Sequence, residues 1–149
     1  MLRYSAGVLD WIKRELKDMD VRTRKLLTMF GVFHMRSNVN RLYTKRKEGG
    51  RGLISVRECV KAEEIALKEY VVASEEWMLK VVGEKVQVVE TKQEYKKREE
   101  KWRVERLGQK KLHGKYLKDV KDVAGGRSWQ WLRGGYLPKS TEAYVFAAQ

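Results

Sequence analysis

A chain of 149 residues, 42% hydrophobic, has enough length and apolar content for a buried core, which excludes wholesale disorder. A net charge of +13 points to an anionic partner, and 36% charged residues against a usual share of about 25% favours exposed, elongated helices. The single cysteine, Cys59, excludes an internal disulfide framework.

The charge is uneven. Residues 1–50 hold twelve Lys and Arg against five Asp and Glu, residues 51–100 ten against eleven, and residues 101–149 eleven against four. Two basic ends around a neutral middle fit a surface that holds nucleic acid. An acidic membrane is the rival partner, but no long apolar run or lipidation signal supports it. With one cysteine and no visible secretory signal, the expected location is intracellular, nuclear or cytoplasmic.

In chain order, "YSAGVLDWIKRELKDMD" sets Tyr4, Val8, Ile12, Leu16 and Met19 at helical spacing. Asp20 reads as the N-cap of a second helix, "VRTRKLLTMF", that stops at Gly31. The stretch "RLYTKRKEGGRGLIS", Arg41 to Ser55, has two β-prone runs around Gly49-Gly50 and reads as a β-hairpin with a cationic tip. Ser55 and Glu58 then have the spacing of a capping box ahead of "CVKAEEIALKEYVVASEEWMLKVV". Beyond Gly83, a run between Lys92 and Lys121 carries twelve Lys and Arg against five Asp and Glu and predicts a long basic helix. Tyr95, Trp102, Leu112, Tyr116 and Val120 supply its inner stripe, and Gly108 and Gly114 are its weak points. A short aromatic helix follows Gly125-Gly126, and a last helix still runs at Gln149, as in a fragment.

Sites with defined chemistry are few. "EGGRG" has neither the Lys-Ser/Thr of a P-loop nor the G-x-G-x-x-G pattern, so the glycines read as turn punctuation. Cys59, His34 and His113 do not have the paired spacing of a zinc site. The acids sit beside lysines on helices, where ion pairing accounts for them, and no cofactor is expected in this chain. Most aromatics read as core. Trp129 and Trp131, near Arg127 and Arg133, are the candidates for base stacking or an interface.

Three stretches carry a resemblance: Arg3 to Gly7, Asp20 to Thr28, and Arg41 to Leu53. Their order and spacing resemble the segment after the polymerase palm in non-LTR (LINE-like) retrotransposon reverse transcriptases, where R-Y-x-A-G, D-x-x-T-R-K-L-L-T and R-L-Y-x-x-R-x-x-G-G-R-G-L succeed one another. "LPKSTEAYVFAAQ" resembles the linker ahead of a small zinc-binding module in such proteins. Met35 stands where a proline is common, and Asn38 and Asn40 stand at positions usually acidic. The catalytic palm motif F/Y-x-D-D is not in this sequence. The resemblance implies a thumb and post-thumb linker that grips a template–primer duplex of RNA and DNA, is not an enzyme alone, and partners the rest of the polymerase chain. Mg²⁺ would belong to the intact polymerase. Arg24, Lys25, Arg41, Arg46 and Arg51 match basic motif positions and, with Lys45 at the hairpin tip, are the expected phosphate contacts.

The expected fold is mainly α, a helical bundle with one small β-hairpin and a long basic helix. The expected pieces are a thumb-like domain at 1–83 with the hairpin at about 41–56, a charged helical linker at 84–124, and the start of a C-terminal helical linker at 125–149. A stand-alone basic adaptor for RNA or protein and a non-functional retroelement remnant are the alternatives.

Overall fold

The computed structural model describes residues 5–148, and among these the chain is mainly helical. In order the helices are α1 (Lys13–Met29), α2 (Val39–Tyr43), α3 (Val56–Ala73), α4 (Trp77–Gly83), α5 (Lys92–Gly108), α6 (Lys111–Ala124), α7 (Gln130–Gly134) and α8 (Lys139–Ala148). Short 3-10 turns lie at Arg46–Glu48 and Gly125–Trp129. Tyr4, the Arg3–Tyr4 start of the first motif and Gln149 lie outside the described residues, as do the side chains of Leu112 and His113.

The chain forms two units interleaved in sequence. One comprises Met1–Asp20 and Ser55–Glu99, the other Val21–Ile54 and Glu100–Gln149. These differ from the consecutive pieces 1–83, 84–124 and 125–149 that the sequence suggests. The first unit holds thirteen Lys and Arg against fourteen Asp and Glu, a net charge of −1; the second holds twenty against six, a net charge of +14. They are called here the neutral and the basic unit.

In the neutral unit, Ala6, Leu16 and Val60 are buried together, with Trp11 and Val56 packed on them. Ala62, Ile65 and Tyr95 form a second small cluster. Of the expected helix from Tyr4, the described part is helical at Ser5 but does not continue, and α1 starts at Lys13. Ser5 instead opens a turn, its carbonyl accepting from the amides of Val8 and Leu9, and Val8 and Ile12 are exposed. Gly7 and Asp10 are poor helix formers, and the turn delivers Ala6 to Leu16 and Val60.

Asp20 does not start a second helix. It lies buried inside the continuous α1, and its carboxylate accepts from the Ser55 hydroxyl at 2.7 Å and from the Val56 amide at 2.8 Å. The N-terminus of α3 is thus capped by an acid distant in sequence. The expected Ser55–Glu58 capping box does not form, because the Ser55 hydroxyl makes no capping bond of its own. The reciprocal pair occurs one helix later. Thr91 Oγ1 accepts from the Glu94 amide, and Glu94 accepts from the Thr91 amide at 2.8 Å, opening α5. Those bonds from Thr91 hold the Glu94 carboxyl below the usual range.

In the basic unit, α1 ends as expected at Gly31. The Val32 amide reaches the Leu27 carbonyl at 2.8 Å and the Gly31 amide the Thr28 carbonyl at 3.1 Å, a Schellman closure with Gly31 at φ 65°. The expected β-hairpin is absent, and no strand occurs among the described residues. Asn38 caps α2 through its side chain, which accepts from the Asn40 amide at 2.9 Å, so Arg41-Leu42-Tyr43 is helical. Local side-chain capping outcompeted β-propensity. The reversal itself is present: the amides of Arg51, Gly52 and Leu53 donate to the carbonyls of Arg41, Thr44 and Leu42. The long basic helix is also divided, α5 ending at Gly108 and α6 starting at Lys111.

Two clusters form the core of this unit. Leu107, Leu117, Trp129, Leu132 and Phe146 are buried together, and so are Phe33, Leu42 and Tyr43. Burying side chains of this size contributes roughly 1.5–3 kcal/mol each.

Candidate nucleic-acid interface

The Arg41–Arg51 stretch was expected to face a phosphate backbone, and the structure uses much of it as architecture. Arg41 is 1% exposed. Its Nε donates to the Gly49 carbonyl at 2.9 Å, and its guanidinium carbon lies 4.5 Å from the ring centre of Phe146, 5.4 Å from Trp129 and 5.8 Å from Tyr116. Aromatic faces are the apolar surface a guanidinium tolerates best, because ring quadrupole and cation attract. Burial lowers the Arg41 pKa to about 10, with Tyr116 pulling the other way. The group remains a cation at neutral pH, enclosed where a phosphate does not reach.

Gly49 and Gly50 make this enclosure possible. Gly49 adopts φ 79° with the Trp129 ring against it, where a Cβ would lie 2.6 Å from the ring. At Gly50 a Cβ would lie 2.1 Å from the Thr44 carbonyl oxygen. The glycine pair lets the backbone pass between an indole and a carbonyl, where its carbonyl meets Arg41.

Arg51 and Arg46 converge on Glu142 of α8. Arg51 Nη2 is 2.7 Å from Glu142 Oε2, both side chains being almost fully buried, while Arg46 Nη1 lies 3.8 Å from Oε1. Arg51 also donates to the Val32 carbonyl and Arg46 to the Leu132 carbonyl. Burial lowers the Arg51 pKa, and Glu142 partly restores it. Arg24 donates to the Tyr43 hydroxyl at 3.1 Å, and Arg103 to the Tyr43 carbonyl at 2.6 Å.

The remaining two expected contacts face solvent. Lys25 is exposed; Lys45 is exposed and paired with Glu100. They are part of a wider pattern. Of the twenty Lys and Arg of the basic unit, fifteen are exposed, and these include all ten of its lysines. The five that are wholly or partly buried are Arg24, Arg41, Arg46, Arg51 and Arg103, and each of them binds a group within the unit. Lys47, expected with Lys45 in the cationic tip, is also exposed, whereas the sequence reading passed over Lys115 and Lys118, which stand exposed on α6. Their helical spacing on α6 was the available signal.

The aromatic candidates change as well. Trp129 is buried against Arg41, and Trp131 packs on the main cluster 6.0 Å from the Phe146 ring. Trp102, expected on an inner stripe, is 42% exposed, with the Arg106 guanidinium 4.9 Å above its ring. Among the described residues, no three His, Cys, Asp or Glu side chains gather into a group that could hold a metal ion. No helix among them is long and apolar enough to cross a membrane.

No family model, no curated protein and no solved structure matches this chain.

Proposed function

We propose that the basic unit grips the sugar–phosphate backbone of nucleic acid, as the thumb and post-thumb region of a retrotransposon RNA-directed DNA polymerase would. The observation that carries this reading is the concentration of charge. A net +14 lies on one unit, and its lysines all face solvent while its buried cations are held by internal partners. Exposed lysines recognise phosphate as point charges and carry no sequence preference, which suits a polymerase that must slide along whatever it copies. The resemblance of Arg41 to Leu53 to the reverse-transcriptase motif supports the polymerase context. In that context this chain supplies grip, the palm supplies Mg²⁺ and chemistry, and the template–primer of RNA and DNA is the partner.

The test is a titration of the folded chain with a labelled RNA–DNA hybrid at several salt concentrations, repeated with Lys25→Ala and Lys47→Ala. Binding that weakens steeply with salt, with each substitution reducing the slope by about one unit, is the expected result. A folded chain that binds no hybrid at about 50 mM salt overturns the reading.

A second reading, a protein-interaction adaptor, draws on the neutral unit. Its segment from Tyr70 to Val89 exposes Trp77, Met78, Val81, Val82 and Val89, Val89 at 92%. Exposed apolar stretches of this kind mark contacts with other protein. It takes precedence if the hybrid titration fails.

A further inference from the structure

A cavity of about 160 Å³ opens within the basic unit. Val104, Leu107 and Leu117 give it an apolar lining, and Gly108 and Gly114 a wall without side chains. That wall is dense, since a Cβ on Gly114 would lie 2.1 Å from the Gly108 carbonyl oxygen. Lys118 and Lys121, both exposed, and the half-buried Glu48 complete the lining.

We propose that this cavity holds the base of one guanine nucleotide of a bound strand. The inference rests on the reading of the basic unit as a nucleic-acid grip and names a site within it. Volume limits the occupant: sites for whole drug-sized ligands run to roughly 300–1,000 Å³, so this one takes a single ring system. Glycine backbone and aliphatic side chains in the same lining give a planar ring apolar contact without side chains that would block it. An acyl chain would use the apolar lining but leave Glu48 and both lysines without partners, and a simple anion would ignore the apolar lining.

The charged groups then choose among bases. Lys118 and Lys121 are three apart on one helix, so their ammonium groups can take the nucleotide's phosphate together. Glu48 is an acceptor only. Guanine presents two adjacent donors, N1–H and the 2-amino group, to a single carboxylate. Uracil flanks its one N–H with two carbonyl oxygens that repel it. Charge-assisted pairs of this kind carry most of the discrimination.

The experiment titrates the folded chain with the 5′-monophosphates of guanosine, cytidine, adenosine and uridine by ligand-observed NMR. Oligonucleotides with and without a single guanine are measured in parallel. Guanosine monophosphate is expected to bind about tenfold more tightly than uridine monophosphate. Glu48→Gln, which keeps the shape of the half-buried side chain, is expected to remove that preference. Val104→Phe, checked for folding by circular dichroism, is expected to fill the cavity, abolishing nucleotide binding while hybrid binding keeps its salt slope. Equal binding of all four nucleotides, no binding of any, or a preference that survives Glu48→Gln overturns the site. If the hybrid still binds in those cases, the grip reading stands without it. Guanosine monophosphate binding with no response to guanine in a strand overturns the assignment to a bound strand and identifies a site for free nucleotide.

Discussion

The two units of this chain handle charge in different ways. The neutral unit holds nearly equal numbers of acidic and basic residues and joins some of them directly, as in Lys92 with Glu63 at 2.8 Å and Arg98 with Glu90 at 3.1 Å. It buries a single acid, Asp20, and uses it to cap a helix. The basic unit draws its inward cations from arginine alone: five of its ten arginines are wholly or partly buried, while the other five and all ten lysines are exposed. The physical reason lies in the head groups. A guanidinium is flat, weakly hydrated and able to fork onto carbonyls and carboxylates or lie on rings, whereas an ammonium holds its water. The lesson is that a basic composition reports two separate things, an interior device and an outer surface, and that only arginine serves the first while both residue types serve the second.

Replacing Glu142 is the strongest way to break this contrast. Glu142→Ala leaves Arg51 buried beside no carboxylate, and a loss of about 3–5 kcal/mol is expected in urea denaturation followed by tryptophan fluorescence. A loss below about 1 kcal/mol would show that the pair behaves as a surface ion pair. Next comes Gly50→Ala, which drives a Cβ into the Thr44 carbonyl and should destabilise the basic unit by about 2 kcal/mol in the same assay. In the neutral unit, Asp20→Ala removes the cap of α3 and should lower stability by about 1 kcal/mol. Faster hydrogen exchange of the Val56 amide would accompany it, and Asp20→Asn should restore part of the loss.

The smallest effect is one of pH. Burial, with Glu99 and Glu58 adding to it, raises the Tyr95 phenol from 10.0 to about 12. Between those values the unfolded chain has released the proton while the folded one retains it, so the neutral unit loses stability as pH rises from 10 to 12. Arg41 has the opposite sign. Burial lowers its pKa from the ordinary arginine range to about 10, so above 10 the unfolded chain holds the extra proton and the basic unit gains stability. Tyr95→Phe should abolish the alkaline loss, read as the midpoint of urea unfolding at pH 9 and pH 11.

Local signals were legible where one segment decides the outcome. Gly31 ends α1 through bonds within the six residues from Leu27 to Val32, and Gly108 marks the division of the basic helices. The mainly α character was readable from periodicity for the same reason. Reading failed where a distant partner decides. Ser55 and Glu58 have the spacing of a capping box, but Asp20, 35 residues earlier, takes the serine. Thr91 and Glu94 have the same spacing and no competitor, and there the box forms. The hairpin failed for a local reason, because Asn38 gives α2 a start that β-prone Leu42 and Tyr43 cannot oppose. At the candidate interface, Arg41 and Lys25 are equivalent in sequence as cations in basic motifs. Only the positions of Phe146, Trp129 and Tyr116, about 75–105 residues later in the chain, separate an enclosed group from an exposed one.

The exposure of every lysine of the basic unit makes two thirds of its fifteen exposed cations chemically adjustable. Acylation neutralises lysine and leaves arginine untouched, and the ten lysines of the basic unit all stand in solvent. Modifying them would take that unit from +14 to +4 without disturbing the Arg41 enclosure or the Glu142 clamp. The surface pair of Lys45 with Glu100 is the one described contact in that unit it would remove, and exposed pairs of this kind contribute only about 0–1 kcal/mol. A cell with an acyltransferase could thus tune attraction for polyanions continuously while the fold stays constant.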